Sequence, residues 1–253
     1  MIDLHSHVLP GLDDGASTLA DALEMARAAA SAGVTIVAGT PHVRHDYPTT
    51  PDEMEAALQE VQAAVAEEGI PVEVRGGGEL DLEWLSAAPI EDVRRFGLAG
   101  NPSYALVEFP YAGWPLGIGE ELFRLRVAGI TPVLAHPERN PEVQARPERL
   151  RDLVEVGALV QVTAASLDGR LGSQPATAAV QLVRDGLVHL IASDAHSPAM
   201  RGFDLHAAAA RVGEPGLAGW LVDDLPAAIA SGSPLPQRPV PERRRSRGWP
   251  RRS

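Results

Sequence analysis

Two short segments near opposite ends of the chain share one spacing. Asp3-Leu4-His5-Ser6-His7 opens it, and Asp194-Ala195-His196 comes late. In an extended segment alternate residues share a face, so His5 and His7 point together, as do Asp194 and His196. Between them lie Asp14, His42 in GTPHV, Glu79 in GGGEL, Glu108 in LVEFP and His136 in LAHPERN. Imidazole and carboxylate without sulfur suit Zn, Mn, Fe or Mg. The nine groups exceed the roughly four to six that one ion takes from a protein, so two or three divalent ions are expected.

Two absences narrow the chemistry. The chain has no cysteine, which removes disulfides, thiolate metal sites and cysteine nucleophiles. All 22 basic residues are arginine, so a Schiff base and a lysine-dependent phosphate loop are excluded too. The net charge is −12, although the last sixteen residues hold seven arginines and one glutamate. The remaining body is therefore strongly acidic and a poor partner for nucleic acid. No apolar run reaches the roughly 20 residues of a membrane span. The start lacks the pattern of a secretory signal, so a cytoplasmic location is the expectation.

The elements that must position these groups follow from periodicity. Apolar runs MIDL, VTIVAGT, IPVEVRGGGE, YALVEF, ITPVLAH, ALVQV and LVHLIASD read as seven strands. Helical patterns separate them: TLADALEMARAAASAG, PDEMEAALQEVQAAVAEEG, and segments near 120–128, 147–156 and 174–185, with DLPAAIASG last. Strands alternating with helices predict an α/β fold with a parallel sheet buried on both faces, most simply a closed barrel. A doubly wound open sheet is the alternative. Every strand but the sixth, ALVQV, ends in a ligand-type residue, and parallel strands present those ends on one side. A single domain over residues 1–236 is predicted. The Pro- and Arg-rich residues 237–253 read as a disordered tail, or alternatively as a contact for an anionic partner.

The motifs, taken in order as D-x-H-x-H, LPGLDDG, GTPH, GGGE, LVEFP, AHPERN and SDAHS, resemble the polymerase-and-histidinol-phosphatase (PHP) superfamily. More narrowly, they resemble the bacterial PHP-type tyrosine-protein phosphatases that act on capsule-regulating tyrosine kinases. The likeness runs from Met1 to about Pro236. It implies a distorted (β/α)7 TIM-like barrel with a trinuclear metal centre at its mouth. His5, His7, Glu79 and Asp194 would hold one ion; Glu79 would bridge to a second held by Glu108 and His136; Asp14, His42 and His196 would hold the third. Mn is expected first, with Fe, Zn or Mg compatible. Arg139 and Arg201 match the phosphate-binding arginines of that group. Val43 stands where relatives often carry a second histidine, and no role passes to the nearby His45.

The implied reaction is hydrolysis of a phosphotyrosine-protein monoester by a metal-bridging hydroxide, with a tyrosine kinase controlling polysaccharide synthesis as the substrate. Two arginine forks would clamp the phosphoryl oxygens. A phenol with a pKa near 10 leaves with little help, so no general acid is nominated. A histidinol-phosphate or other small-molecule phosphatase, a phosphodiesterase and a non-catalytic PHP scaffold are the alternatives. Asp13 reads as a turn residue before Gly15 or a partner of a ligand, His189 as structural and His206 as exposed. Gly76–Gly78 read as a place of tight backbone packing before Glu79.

Overall fold

The computed structural model describes residues 1–197 and 202–240. Its strands, in chain order, are β1 (Ile2–Ser6), β2 (Ile36–Gly39), β3 (His42–Arg44), β4 (Tyr47–Pro48) and β5 (Glu73–Gly76). They continue as β6 (Glu79–Leu80), β7 (Tyr104–Glu108), β8 (Thr131–Ala135), β9 (Leu159–Thr163) and β10 (Leu190–Ala192). All seven expected strands are present, and the helices lie where the periodicity puts them. Those between strands include Leu19–Ser31, Pro51–Glu67, Ile118–Val127, Arg149–Glu155 and Ser173–Arg184. Thr18 with Asp21 and Thr50 with Glu53 close capping boxes that start the first two helices.

The strands form an α/β domain, but they do not make one closed sheet among the described residues. β1, β2 and β5 form a parallel sheet of three, and β10-β9-β8-β7-β6-β3-β4 a sheet of seven. Only the β3–β4 hairpin is antiparallel. The expected second and third strands each break and resume in the other sheet. Pro41 has no N–H to continue the ladder after β2. Its carbonyl instead accepts from Glu79 N at 2.9 Å, across the break between β5 and β6. At the opposite seam the two sheets meet through one parallel bridge, Ser6 to Ala195.

These breaks aim side chains. The register sets His42 beside Glu79, Glu79 beside Leu106, and Glu108 beside Ala135. Leu4, Leu106, Val133, Val160 and Ile191 are fully buried beneath, so the polar layer rests on an apolar floor. Gly76–Gly78 do allow close packing: a Cβ on Gly78 would meet Phe96 at 2.7 Å, and one on Gly76 would meet Leu58 at 2.9 Å. Beyond the expected domain end at Pro236, Arg238 donates to the carbonyls of Val183 and Val188 and stacks on Trp220. The chain is therefore tied down at Arg238, within the expected tail, because the several N–H groups of a guanidinium can reach two carbonyls at once. Residues 241–253 lie outside the described set.

The closest backbone approach is at Gly15, where a Cβ would stand 2.2 Å from the His7 carbonyl oxygen and 2.4 Å from His7 Cβ. Gly15→Ala is expected to cost about 1–3 kcal/mol, a fall in Tm of roughly 3–10 °C by calorimetry. Gly119→Ala, on a helix with open space around it, is expected to leave Tm unchanged or slightly raised. An unshifted Gly15→Ala would mean the loop does not fold back on His7.

Candidate metal centre

Eight of the nine expected ligands are buried where the strands end or, for His42 and Glu79, where they resume after a break, while Asp14 is exposed at the rim. β1 delivers His5 and leads into His7, and β3, β6 and β7 deliver His42, Glu79 and Glu108. His136 follows β8, and Asp194 and His196 follow β10. The β1 and β10 ends are stitched by Asp194 N to His5 O and His7 N to Ala195 O, both 2.8 Å. Asp3 secures the same seam by accepting from Ser193 N at 3.0 Å, and burial, opposed by Ser193, pushes its carboxyl up to about 6. His136 and Asp194 both have positive φ, +37° and +53°. Backbone strain of about 1–3 kcal/mol at such residues marks positions where aim outweighs local comfort.

Glu79 is the hub. Its Oε2 lies 3.2 Å from His5 Nε2, 3.5 Å from His7 Nε2 and 3.1 Å from His42 Nδ1. Its Oε1 meets His136 Nε2 at 2.7 Å. His5 Nε2 and His7 Nε2 also face Asp194 Oδ1 at 3.4 and 3.3 Å. At the rim, Asp14 Oδ1 stands 3.6 Å from His42 Nε2 and 3.4 Å from His196 Nε2.

His5 Nε2, His7 Nε2, His42 Nδ1 and Glu79 Oε2 are buried without a hydrogen-bond partner. Buried polar atoms are rarely left so. Separations near 3.1–3.6 Å match the edge of a coordination shell with bonds of about 2.1 Å, which is about 3.0–3.4 Å. The donor set thus fits divalent cations. Four groups of donors could each hold an ion: His7, Asp14, His42, His196; His5, Glu79, His136; His5, His7, Asp194; and His42, Glu79, Glu108. All nine expected residues fall within them. The grouping differs from the one implied by resemblance: Glu108 stands with His42, His136 stands with His5, Glu79 is absent from the His5–His7–Asp194 group, and His7 also joins the rim group.

The charges are set by mutual pairing. Burial alone would raise Glu79 and Asp194. For Glu79 the neighbouring His5 and His136 overcome it, and for Asp194 His5 and Arg139 do, so both carboxyls fall well below the usual range. His5 is raised against its burial by Glu79 and Asp194, and His7 well above the ordinary value by Asp13. Burial, with Arg139 beside it, takes His136 down to about 4. Burial and the repulsion of Glu79 push Glu108 up to about 7, against the pull of His42 and Arg44.

A ring of supporting residues fixes the ligands. Asp13 is both turn and support: it accepts from Gly15 N, from His7 Nδ1 at 2.6 Å and from His42 N at 2.9 Å, and His7 outweighs burial to hold its carboxyl at about 2. No ligand is expected from β9, yet its Gln161 Oε1 orients His5 Nδ1 at 3.1 Å. Arg44 donates to Glu108 at 3.2 Å. Neither partner was singled out from sequence, because one is 156 residues from His5 and the other 64 from Glu108.

The HPERN segment is used at almost every position. Glu138 accepts from Ser166 Oγ and Thr163 N, fixing the end of β9. Arg139 donates to Asp194, to Thr163 Oγ1 and, through Nη1, to Tyr111 Oη at 3.1 Å. Asn140 caps the helix Pro141–Ala145 and donates to the carbonyls of Pro110 and Gly113. Arg201 lies outside the described residues. His189 is structural, taking Val160 N at 3.1 Å, and His206 is exposed.

Comparison with known proteins agrees with this geometry. Tyrosine-protein phosphatase YwqE of Bacillus subtilis (strain 168) is 37% identical over 204 residues, 80% of each chain. Tyrosine-protein phosphatase CpsB of Streptococcus agalactiae serotype III (strain NEM316) is 28% identical over 205 residues, covering 78% of this chain and 83% of that one. A crystal structure described with YwqE from Bacillus subtilis and CpsB from Streptococcus pneumoniae, as unique metal-dependent tyrosine phosphatases, superposes with a TM-score of 0.82. It is 33% identical and covers 96% of this chain and all of that one. Residues 1–215 match the family described as capsular polysaccharide synthesis, CpsB/CapC. The chain belongs to the CpsB/CapC family.

Proposed function

We propose that this chain is a metal-dependent phosphatase of tyrosine phosphate in proteins, acting on a tyrosine kinase that controls polysaccharide synthesis. The observation that carries the reading is the shared carboxylate Glu79, whose two oxygens face four buried imidazoles inside overlapping donor sets. The names of the relatives supply the substrate class. The strand path resembles an opened (β/α)7 barrel, and this part of the reading rests on the order of parallel pairs and the single Ser6–Ala195 bridge. A cytoplasmic location belongs to the same proposal.

Two or three ions, Mn first, would be held by His5, His7, Asp14, His42, Glu79, Glu108, His136, Asp194 and His196. Bound divalent cations supply Lewis acidity, offsetting phosphoryl charge and making water acidic enough to attack near neutral pH. The chain's own groups supply aim. Arg139 keeps Asp194 ionised and in place, and its Nη1 carries a second N–H, beyond the one given to Tyr111, for a phosphoryl oxygen. Arg201 is proposed as the second clamp. Asp13 and Gln161 hold the Nδ1 atoms of His7 and His5, leaving both Nε2 atoms aimed inward.

The direct assay compares a phosphotyrosine peptide with histidinol phosphate, with Mn²⁺ and with chelator. The peptide should be preferred, chelation should abolish turnover and Mn²⁺ should restore it. Preference for histidinol phosphate would support the small-molecule alternative, and indifference to chelator would reject a metal enzyme. His136→Gly keeps the left-handed backbone but loses the donor. It should lower kcat/KM by at least about 100-fold with an unchanged circular dichroism spectrum.

Metal affinity should also depend on pH. Glu108 titrates near 7 and His5 and His7 are raised, so below about pH 7 these groups hold protons that a cation must displace. Affinity should therefore fall from pH 8 to pH 6, by about tenfold per pH unit for each proton displaced. Calorimetric titrations giving one affinity at both pH values would contradict this.

A further inference from the structure

The chain has three tyrosines, and two lie flat against candidate metal ligands. Tyr47 stacks on His42 with ring centroids 5.7 Å apart, and Tyr111 on His136 at 5.5 Å, each pair tilted by 18°. The two rings are not equivalent. The guanidinium of Arg44 lies 5.2 Å from the Tyr47 centroid, so that ring already has a cation as well as an imidazole against it. Among the described residues no other ring or guanidinium stacks on Tyr111, which is 48% exposed. Among the described residues its second face therefore carries no stacked partner, beside the candidate metal centre.

Tyr111 is also held rigidly. Arg139 donates to its hydroxyl at 3.1 Å. Asn140 grips the loop on both sides of it, donating to Pro110 O at 2.6 Å and Gly113 O at 2.8 Å. A phenol is neutral near pH 7, so the ring does not repel a phosphate dianion. A fixed, uncharged aromatic surface adds contact at little cost in entropy. Because its hydroxyl sits on Arg139, the ring starts where a phosphoryl group bound to that arginine would be. The group leaving from that phosphorus must pass alongside it.

We propose that Tyr111 is a specificity-determining residue whose open face receives the aromatic ring of the substrate, biasing the site toward aryl over alkyl phosphate monoesters. This rests on the phosphatase reading above. A flat ring stacked on Tyr111 gains a face-to-face or offset contact, whereas a short alkyl phosphate gains little. The lower pKa of a phenol also favours aryl substrates, but that advantage belongs to the substrate and does not change when Tyr111 is replaced.

The test measures kcat/KM for matched phosphotyrosine and phosphoserine peptides with the metal-loaded wild type and three variants. Tyr111→Ala and Tyr111→Leu should each lower the aryl-to-alkyl ratio by about 3–10-fold, mainly through KM of the aryl peptide. Tyr111→Phe keeps the ring and should retain most of the ratio. An unchanged ratio in Tyr111→Ala would overturn the proposal. So would a loss in Tyr111→Phe as large as in Tyr111→Ala, since the hydroxyl on Arg139 would then set the preference. A wild type that hydrolyses neither peptide would instead reject the phosphatase reading.

Discussion

A buried carboxylate surrounded by imidazoles governs this molecule. Glu79 is fully buried, and three histidine nitrogens crowd one of its oxygens while a fourth holds the other. An ionised carboxylate in an apolar interior costs several kcal/mol unless compensated. His5 and His7, whose pKa values are raised, give part of that compensation, and cations held between the same atoms would give it more completely. The surrounding architecture can be understood as the means of bringing those four imidazoles to one carboxylate. The sheets break at Pro41 and Gly77–Gly78 so that β3 and β6 bring His42 and Glu79 side by side. His136 and Asp194 take left-handed backbone to turn inward at the ends of their strands.

The second layer converts a cluster of titratable groups into an aimed one. Asp13, Gln161 and Arg139 each bind the outer side of a ligand, so the inner atoms have little freedom left. Such partners fix the ring orientation of histidine and raise its basicity as a donor. HPERN concentrates this economy, since His136 faces Glu79, Arg139 holds Asp194, and Asn140 and Arg139 together hold Tyr111. One turn of chain after β8 thus ties the candidate metal centre to the rim at Tyr111.

Part of this was legible in the sequence because most of the candidate ligands follow an apolar run that reads as a buried strand. His5, Glu108 and His136 were placed by that rule alone, and the helices between strands were marked by their periodicity. What escaped was long-range. The closed sheet expected from seven strands is interrupted, although Pro41 and the three consecutive glycines before Glu79 already marked the places. Gln161 and Arg44 carried no local signal, because a lone glutamine in an apolar strand gains meaning only when His5 arrives from the other end of the chain. Glu108 was grouped with His136 by resemblance, whereas its carboxylate lies 3.8 Å from His42 Nδ1 and falls in one donor group with His42 and Glu79. Arg238 lay inside the expected free tail, and its docking depends on the carbonyls of Val183 and Val188.

The central claim is that Glu79 binds the separate donor sets into one cooperative cage. Elemental analysis of purified wild-type and Glu79→Gln protein, counting divalent ions per chain, tests it most directly. The account predicts two or three ions in the wild type and loss of more than one on this single neutral substitution. A wild type that purifies with none and takes up none, or a Glu79→Gln chain that keeps the full complement, would contradict it.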